Sequence, residues 1–134
     1  MKVFKTRGFA RFMRQELMSD ASLLEAIARA ERGLIDADLG GGLIKQRVAR
    51  RGWGRSGGYR VIVVYRPKGR AVFLFGFAKN ERENISSDEL VLLREIARNW
   101  LAASAARIRE EIETGNLKEI EDGEETKQFV RGYS

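Results

Sequence analysis

Residues 58–77 of this 134-residue chain read GYRVIVVYRPKGRAVFLFGF. Both apolar runs in this stretch are rich in Val, Ile, Tyr and Phe, which favour extended backbone on a half-buried sheet. The only proline of the chain opens residues 67–70, which read PKGR and suit the turn of a β-hairpin. The stretch therefore predicts two antiparallel strands, Gly58–Arg66 and Ala71–Phe77, with the second at the centre of a sheet.

The sequence upstream of this hairpin predicts a further strand and a pair of helices. Leu43–Arg50 has strand composition and extends the hairpin to an antiparallel meander, after a glycine-rich turn at residues 38–42. Lys2–Lys5 suits a short first strand. Apolar residues at helical spacing then predict an N-terminal helix hairpin from Arg7–Leu17 and Ser22–Arg32, with a capping box at the start of the second helix.

The sequence downstream predicts one long helix and a tail. Ser86 and Glu89 have the spacing of a capping box, and an apolar stripe continues from there to Thr114, which precedes a glycine. We therefore expect a single α+β domain over residues 1–114, made of the helix hairpin, the antiparallel β-meander and a long C-terminal helix. We expect residues 115–134 to form an acidic, weakly ordered C-terminal tail.

The composition narrows the chemistry that is open to the protein. The chain contains no cysteine and no histidine, which excludes disulfides, thiolate zinc sites and the usual general base at neutral pH. No apolar run approaches the roughly 18 residues that span a bilayer, and the N-terminus lacks the apolar core of a secretory signal. We expect a cytoplasmic protein whose chemistry depends on lysine, arginine, carboxylates, hydroxyls or backbone.

Positive charge is concentrated in one part of the chain. The net charge is +6, but residues 1–84 carry 18 Lys and Arg against 8 Asp and Glu, whereas residues 85–134 carry 7 against 11. No acidic residue lies between Asp38 and Glu81, and the ten basic residues there are Lys45, Arg47, Arg50, Arg51, Arg55, Arg60, Arg66, Lys68, Arg70 and Lys79. A segment of one sign predicts a polyanionic partner, and we favour nucleic acid over a solvated surface.

Strand periodicity groups some of these charges on a common face. Side chains two residues apart on a strand point to the same side, so Lys45 shares a face with Arg47, and Arg60 with Arg66. Arg60 lies in a strongly apolar strand, where a guanidinium is costly without a partner or a purpose. We favour a functional role for Arg60 over a structural ion pair with a carboxylate such as Glu81.

The loop between the first two strands of the meander combines arginine, glycine and tryptophan. Glycine lets backbone amides approach phosphates, arginine binds phosphate bidentately, and an exposed tryptophan stacks on an unpaired base. A tryptophan that closes the core fits the loop equally well. The residues that we predict to bind RNA are Arg50, Arg51, Trp53, Arg55 and Arg66.

Three segments together resemble the RelE/HigB toxin superfamily, and its HigB-like branch in particular. They are residues 43–47 (LIKQR), 56–62 (SGGYRVI) and 75–85 (FGFAKNERENI). The resemblance implies a type II toxin that enters the ribosomal A site, contacts ribosomal RNA and cleaves the bound mRNA. It also implies a cognate antitoxin that covers the toxin, and it leaves self-association open.

The resemblance also implies which residues are catalytic. They are Lys45, Arg47, Arg60, Lys79 and Arg82. The chain departs from the family pattern at Asn80, where some RelE members have an arginine, and at Ser86, where the family has an aromatic residue.

The expected chemistry needs neither a metal nor a cofactor, because the RNA supplies its own 2′-hydroxyl as nucleophile. A lysine among arginines has a lowered pKa, so we expect Lys45, or else Lys79, to act as the base. Arg47 and Arg60 would hold the phosphoryl oxygens, and Arg82 would assist the leaving group.

Two other readings of the sequence stay open. A ParE-like toxin on the same fold would inhibit DNA gyrase without nuclease chemistry, and a non-enzymatic module would use the basic sheet only to bind nucleic acid. The presence of Lys45, Arg47 and Arg60 together favours the nuclease over the gyrase inhibitor.

Overall fold

The computed structural model describes residues 1–50 and 54–120, with residues 54–56 described by their backbone alone. Over these residues the elements in chain order are β1 (Lys2–Thr6), α1 (Arg7–Glu16), α2 (Asp20–Glu31), β2 (Ala37–Gly40), β3 (Leu43–Arg50), β4 (Gly54–Arg66), β5 (Arg70–Ala78), α3 (Ser87–Ala102), α4 (Ala105–Glu113) and β6 (Leu117–Ile120). The predicted α+β class is confirmed. Of the helices in these ranges, none combines the length and the apolar character that crossing a bilayer requires.

The strands form one mixed sheet in the order β2-β3-β4-β5-β1-β6. β3, β4 and β5 are consecutive antiparallel neighbours, so the predicted meander is confirmed and β5 is central. β1 runs parallel to β5 on one side and antiparallel to β6 on the other.

Helices α1 and α2 cover one face of the sheet. Phe9 of α1 and Leu23 of α2 pack with Val61 and Phe73 of the sheet in one buried cluster. Thr6 caps α1, since its side chain accepts a hydrogen bond from the N–H of Phe9 at 3.2 Å. The antiparallel pairing of α1 with α2 as a hairpin stays a prediction.

The start of α2 differs from the predicted capping box. The N-cap is Ser19, whose Oγ accepts a hydrogen bond from the N–H of Ser22 at 3.2 Å. Glu25 does not turn back to the helix start, because its carboxylate accepts a hydrogen bond from Nε of Arg29 at 3.0 Å. The capping box predicted from the spacing of Ser22 and Glu25 is therefore wrong, because the two residues bond to other partners.

Helices α3 and α4 cover the other face of the sheet. Leu93 of α3 and Ile108 of α4 pack with Phe4 and Val64 in a second buried cluster. The predicted capping box at the start of α3 is confirmed, with Ser86 and Glu89 each bonded to the other's backbone.

The predicted long C-terminal helix is wrong, because the chain leaves helical geometry at Ala103, which is extended at φ −64° and ψ 131°. Ser104 then caps α4 by accepting from the N–H of Arg107 at 3.1 Å. Arg70 stabilises the break: its Nη1 donates to the carbonyls of Trp100 at 2.7 Å and Ala103 at 2.9 Å. A cation at a helix C-terminus satisfies the orphan carbonyls and the helix dipole together.

Two short strands were also missed. Residues 38–42 were predicted as a turn, but Ala37–Gly40 pair with β3, and the turn itself is confined to the glycines after them, where φ is +63° and +83° at Gly41 and Gly42. Leu117–Ile120 pair with β1, so the predicted weak order is wrong for these residues and the sheet extends past residue 114. Residues 121–134 of the predicted tail lie outside the described residues.

Replacing Arg70 should destabilise the fold locally around the end of α3. We expect Arg70→Ala to lower the free energy of unfolding by about 1–3 kcal/mol, because the two partly buried carbonyls of Trp100 and Ala103 lose a charged donor. Arg66→Ala is the matched comparison, since exposed Arg66 makes only a 3.3 Å bond to the carbonyl of Leu101, and it should cost less than about 1 kcal/mol. Urea denaturation followed by circular dichroism measures both, and equal losses would contradict the capping role.

Candidate nucleic-acid interface

β3 pairs with β4, and β4 pairs with β5. This arrangement places the predicted catalytic residues of the meander on one face of the sheet. Arg47 lies directly opposite Arg60, and Arg60 lies directly opposite Phe77. Lys45 lies opposite Ile62, two residues along in the same register. Because opposed residues of a ladder project to the same side, Lys45, Arg47 and Arg60 share one face.

This face has a covered part and a cationic part. The covered part, with Leu43 and Val64, lies under α3 in the second buried cluster. The cationic part lies towards the other end of β3 and β4. There Arg47 is exposed and Lys45 is half-buried, while Arg60 is only 9% exposed and forms the floor.

The surroundings of Lys45 lower the pKa of its ammonium group. Its Nζ donates to Oδ1 of Asn84 at 3.2 Å. Partial burial lowers the pKa of Lys45, and the positive charges of Arg60, Lys79 and Arg47 lower it further, in that order. These four residues, Lys45, Arg47, Arg60 and Lys79, are called the cationic cluster below.

The pKa of Arg60 responds to burial and to two charged neighbours. Burial lowers the pKa of its guanidinium, the charge of Arg47 lowers it further, and the carboxylate of Asp36 raises it. Its Nη1 lies 3.4 Å from the carbonyl oxygen of Tyr59. An arginine stays protonated at neutral pH despite such shifts, so Arg60 is a fixed, partly desolvated positive charge at the floor of the face.

Lys79 follows β5 directly. Its backbone N–H donates to the carbonyl of Gly58 at 2.9 Å, which continues the β4–β5 pairing past the end of the strand. The position brings its ammonium charge close enough to act on Lys45. Lys79 therefore lies near the meander residues with which it was predicted to act.

Arg82 lies beside the cluster but is committed to another partner. Its guanidinium is 5.7 Å from the ring centroid of Phe75 and 5.3 Å from that of Phe77. Nη1 and Nη2 both donate to the carboxylate of Glu89, and Nε donates to the carbonyl of Asn84 at 3.0 Å. The bidentate pair neutralises most of the charge that a leaving group would need.

The predicted RNA-binding residues are scattered. Arg50 lies over the ring of Tyr59 at 5.4 Å from its centroid and bonds Oδ1 of Asn80 at 3.1 Å. Tyr59 belongs to the face under α1 and α2, so Arg50 lies on the opposite side of the sheet from Arg60. Arg66 is six residues further along β4 than Arg60, about 20 Å away at a strand's rise per residue, and it bonds the end of α3.

The three remaining predicted residues are Arg51, Trp53 and Arg55. Arg51 and Trp53 lie outside the described residues, and Arg55 is described by its backbone alone, within β4.

Sequence reasoning missed three polar residues that shape the site. Asp36 precedes β2 and bonds the backbone of Arg47. Gln46 of β3 is fully buried, and Asn84 accepts a hydrogen bond from Lys45. Gln46 was detectable as a polar residue at an inward position of an alternating strand. Asp36 and Asn84 are loop residues whose contacts depend on the tertiary fold, and no local signal marks them.

Comparison with known proteins adds one finding. A family model described as the RelE toxin of the RelE / RelB toxin-antitoxin system matches residues 1–120. No curated protein matches the chain.

The pairing of Arg82 with Glu89 makes a prediction about acid titration. The hydrogen bond from Arg82 and that from the backbone of Ser86 lower the pKa of Glu89 to about 2. The pair should therefore stabilise the fold above the ordinary glutamate pKa of about 4.3 and lose that effect as pH falls towards 2. In Arg82→Leu, NMR titration should find the Glu89 pKa moved up towards its ordinary value, whereas the neighbouring Lys79→Leu should leave it low. An unmoved pKa in Arg82→Leu would show that Arg82 is not committed to Glu89.

Proposed function

The chain belongs to the RelE toxin family, and from this premise we propose that it is the toxin of a toxin–antitoxin system and cleaves mRNA on the ribosome. The observation that carries the proposal is the cross-strand placement of Lys45, Arg47 and Arg60 on one face. Such a face offers fixed positive charge to a ribose-phosphate backbone. The family pairs its toxins with an antitoxin, and we propose that one covers this chain as well. The proposed activity requires translating ribosomes, so we place the protein in the cytoplasm.

The proposed reaction uses the RNA's own 2′-hydroxyl. Neutral Lys45 takes the proton of that hydroxyl as the 2′-oxygen bonds to the adjacent phosphorus. The lowered pKa of Lys45 supports this role, because a base needs a usable neutral fraction near the working pH. The P–O5′ bond then breaks, and the products are a 2′,3′-cyclic phosphate and a 5′-hydroxyl.

The arginines of the cluster stabilise the charge that builds up during this step. Arg60 is partly desolvated at the floor of the face, where an electrostatic interaction with phosphoryl oxygens is stronger than in water. Arg47 is exposed beside it and completes the grip from the open side.

The leaving 5′-oxygen needs a proton, and Lys79 is a better donor of that proton than Arg82. Arg82 was expected to assist here, but its guanidinium is paired with Glu89. Lys79 is a charged neighbour of Lys45, so one lysine accepts a proton while the other gives one to the 5′-oxygen. The ribosome supplies the bent mRNA geometry that so small a surface cannot impose alone.

Removing the proposed base should abolish most of the cleavage without unfolding the protein. We expect Lys45→Ala to slow single-turnover cleavage of ribosome-bound mRNA by about 100- to 10,000-fold, the usual contribution of a general base. Lys118→Ala is the matched control, because it removes the same charge from an exposed position on β6 and should cleave at the wild-type rate. Inhibition of gyrase supercoiling by a wild-type protein that leaves mRNA intact would contradict the proposal.

The same base should give the reaction a pH dependence. Cleavage should speed up as pH rises and Lys45 loses its proton, with an inflection below the ordinary lysine pKa of about 10.4. Arg47→Gln removes one of the charges that lower the pKa of Lys45, so its inflection should move to higher pH. Rates measured between pH 6 and 9 on the same ribosome complex test this. An inflection that persists in Lys45→Ala would place the base elsewhere.

A further inference from the structure

Among residues 1–50 and 54–120, none forms a strand partner for the outer edge of β3 at Arg47. β2 begins at Ala37, which pairs with Lys45, and the pairing does not continue past that point. Backbone groups at an unpaired edge need other partners or water. At Arg47 both partners are side chains.

Asp36 and Arg29 take the place of the missing strand. Oδ2 of Asp36 accepts from the N–H of Arg47 at 2.7 Å, and Nη2 of Arg29 donates to the carbonyl of Arg47. The two side chains are themselves joined, since Nη1 of Arg29 lies 3.3 Å from Oδ2 of Asp36. Together they satisfy the donor and the acceptor that a neighbouring strand would satisfy.

Further hydrogen bonds hold the Arg29–Asp36 pair in place. Arg29 is on α2 and only 4% exposed, and its Nε contacts both carboxylate oxygens of Glu25 at 3.0 and 3.1 Å. The backbone N–H of Asp36 donates to Oε1 of the buried Gln46 at 2.8 Å. Gln46 in turn donates to the carbonyls of Ala26 at 3.0 Å and of Leu34 at 3.2 Å. The network therefore connects α2, the loop before β2 and the backbone of β3.

Asp36 also faces the positive side chains of the cluster. Its Oδ1 lies 4.0 Å from Nε of Arg47, and its charge acts on Arg60. Two arginines directly opposite each other on neighbouring strands repel. A carboxylate beside them offsets that repulsion while no phosphate is bound.

We propose that the Arg29–Asp36 ion pair positions Arg47 for RNA, holding its backbone in place of a strand and supplying the counter-charge that the RNA phosphate replaces. This inference rests on the proposed function for its activity readout. Asp36 and Arg29 are positioning residues, since neither is proposed to touch the reacting atoms.

The role predicts effects of opposite sign on binding and on cleavage. Asp36→Asn keeps a side-chain oxygen for the N–H of Arg47 but removes the negative charge. Binding of a single-stranded RNA with a 2′-deoxy scissile nucleotide should tighten about 2- to 5-fold, the scale of one partly exposed ion pair. Single-turnover cleavage should slow about 10- to 100-fold, because losing the ion pair with Arg29 loosens the hold on the Arg47 backbone and a displaced Arg47 binds the phosphate poorly. A purely structural role would weaken both, and that result would overturn the proposal.

The matched control is Asp38→Asn, two residues along. Asp38 is exposed, and its carboxylate accepts from the N–H of Gly40 at 2.9 Å. The Asp38→Asn substitution removes the same charge from the same edge of the sheet, so cleavage should stay at the wild-type rate. Equal slowing in both variants would show that the effect is one of net charge and not of position.

Amide hydrogen exchange tests the positioning without any cleavage. In Asp36→Ala the Arg47 amide should exchange about 10- to 100-fold faster, the factor expected for losing a hydrogen bond to a charged group. Amides of β4 and β5 should keep their protection. Unchanged exchange at Arg47, or equal loss across the sheet, would overturn the inference. If the wild type cleaves no ribosome-bound mRNA, the proposed function fails, while this measurement still decides the role of Asp36.

Discussion

The pairing register between β3 and β4 is the constraint on which the site depends. With Arg47 opposite Arg60, the alternation of both strands sends the charged residues to one face and residues such as Ile44 and Val61 to the core under α1 and α2. A slip of one residue in either strand would exchange the two sets, burying guanidinium groups and exposing apolar side chains. The buried Gln46 resists such a slip, because a slip would break its hydrogen bonds to Ala26 of α2 and to Leu34 and Asp36 of the loop that follows.

Much of the fold follows from local signals, and those parts were predictable. The strands of the meander are recognisable by composition, and the caps at Thr6 and Ser86 depend only on residues within one helical turn. The break between α3 and α4 occurs in an alanine-rich segment, where local propensity favours a continuous helix. Ser104 is a local cap signal for α4, but the partly buried carbonyls of Trp100 and Ala103 are satisfied by Arg70, which is distant in sequence and cannot be inferred from the segment itself. β6 likewise depends on pairing with β1.

In the candidate site, too, some features follow from local sequence patterns and others depend on the tertiary structure. Alternation along each strand was enough to put Lys45 on the same face as Arg47, because the period is a property of the strand itself. The register that sets Arg60 opposite Arg47 comes from the pairing of β3 with β4 and was not predictable in this way. Composition alone could not show which arginines bind the ends of helices or distant carboxylates. Arg66 binds the end of α3 and Arg82 binds Glu89, and both partners are known only from the tertiary structure.

The cationic cluster has an energetic cost that its surroundings only partly offset. Like charges held on a rigid sheet repel, and partial burial together with that repulsion lowers the pKa of Lys45. Asn84 and Asp36 each offer an oxygen to the cluster, but neither removes the excess of positive charge. Proteins tolerate such local strain where the missing interaction comes from a ligand. A polyanion that brings phosphate oxygens to Arg47 and Arg60 would relieve the repulsion, so the same arrangement that weakens the free fold favours the bound one.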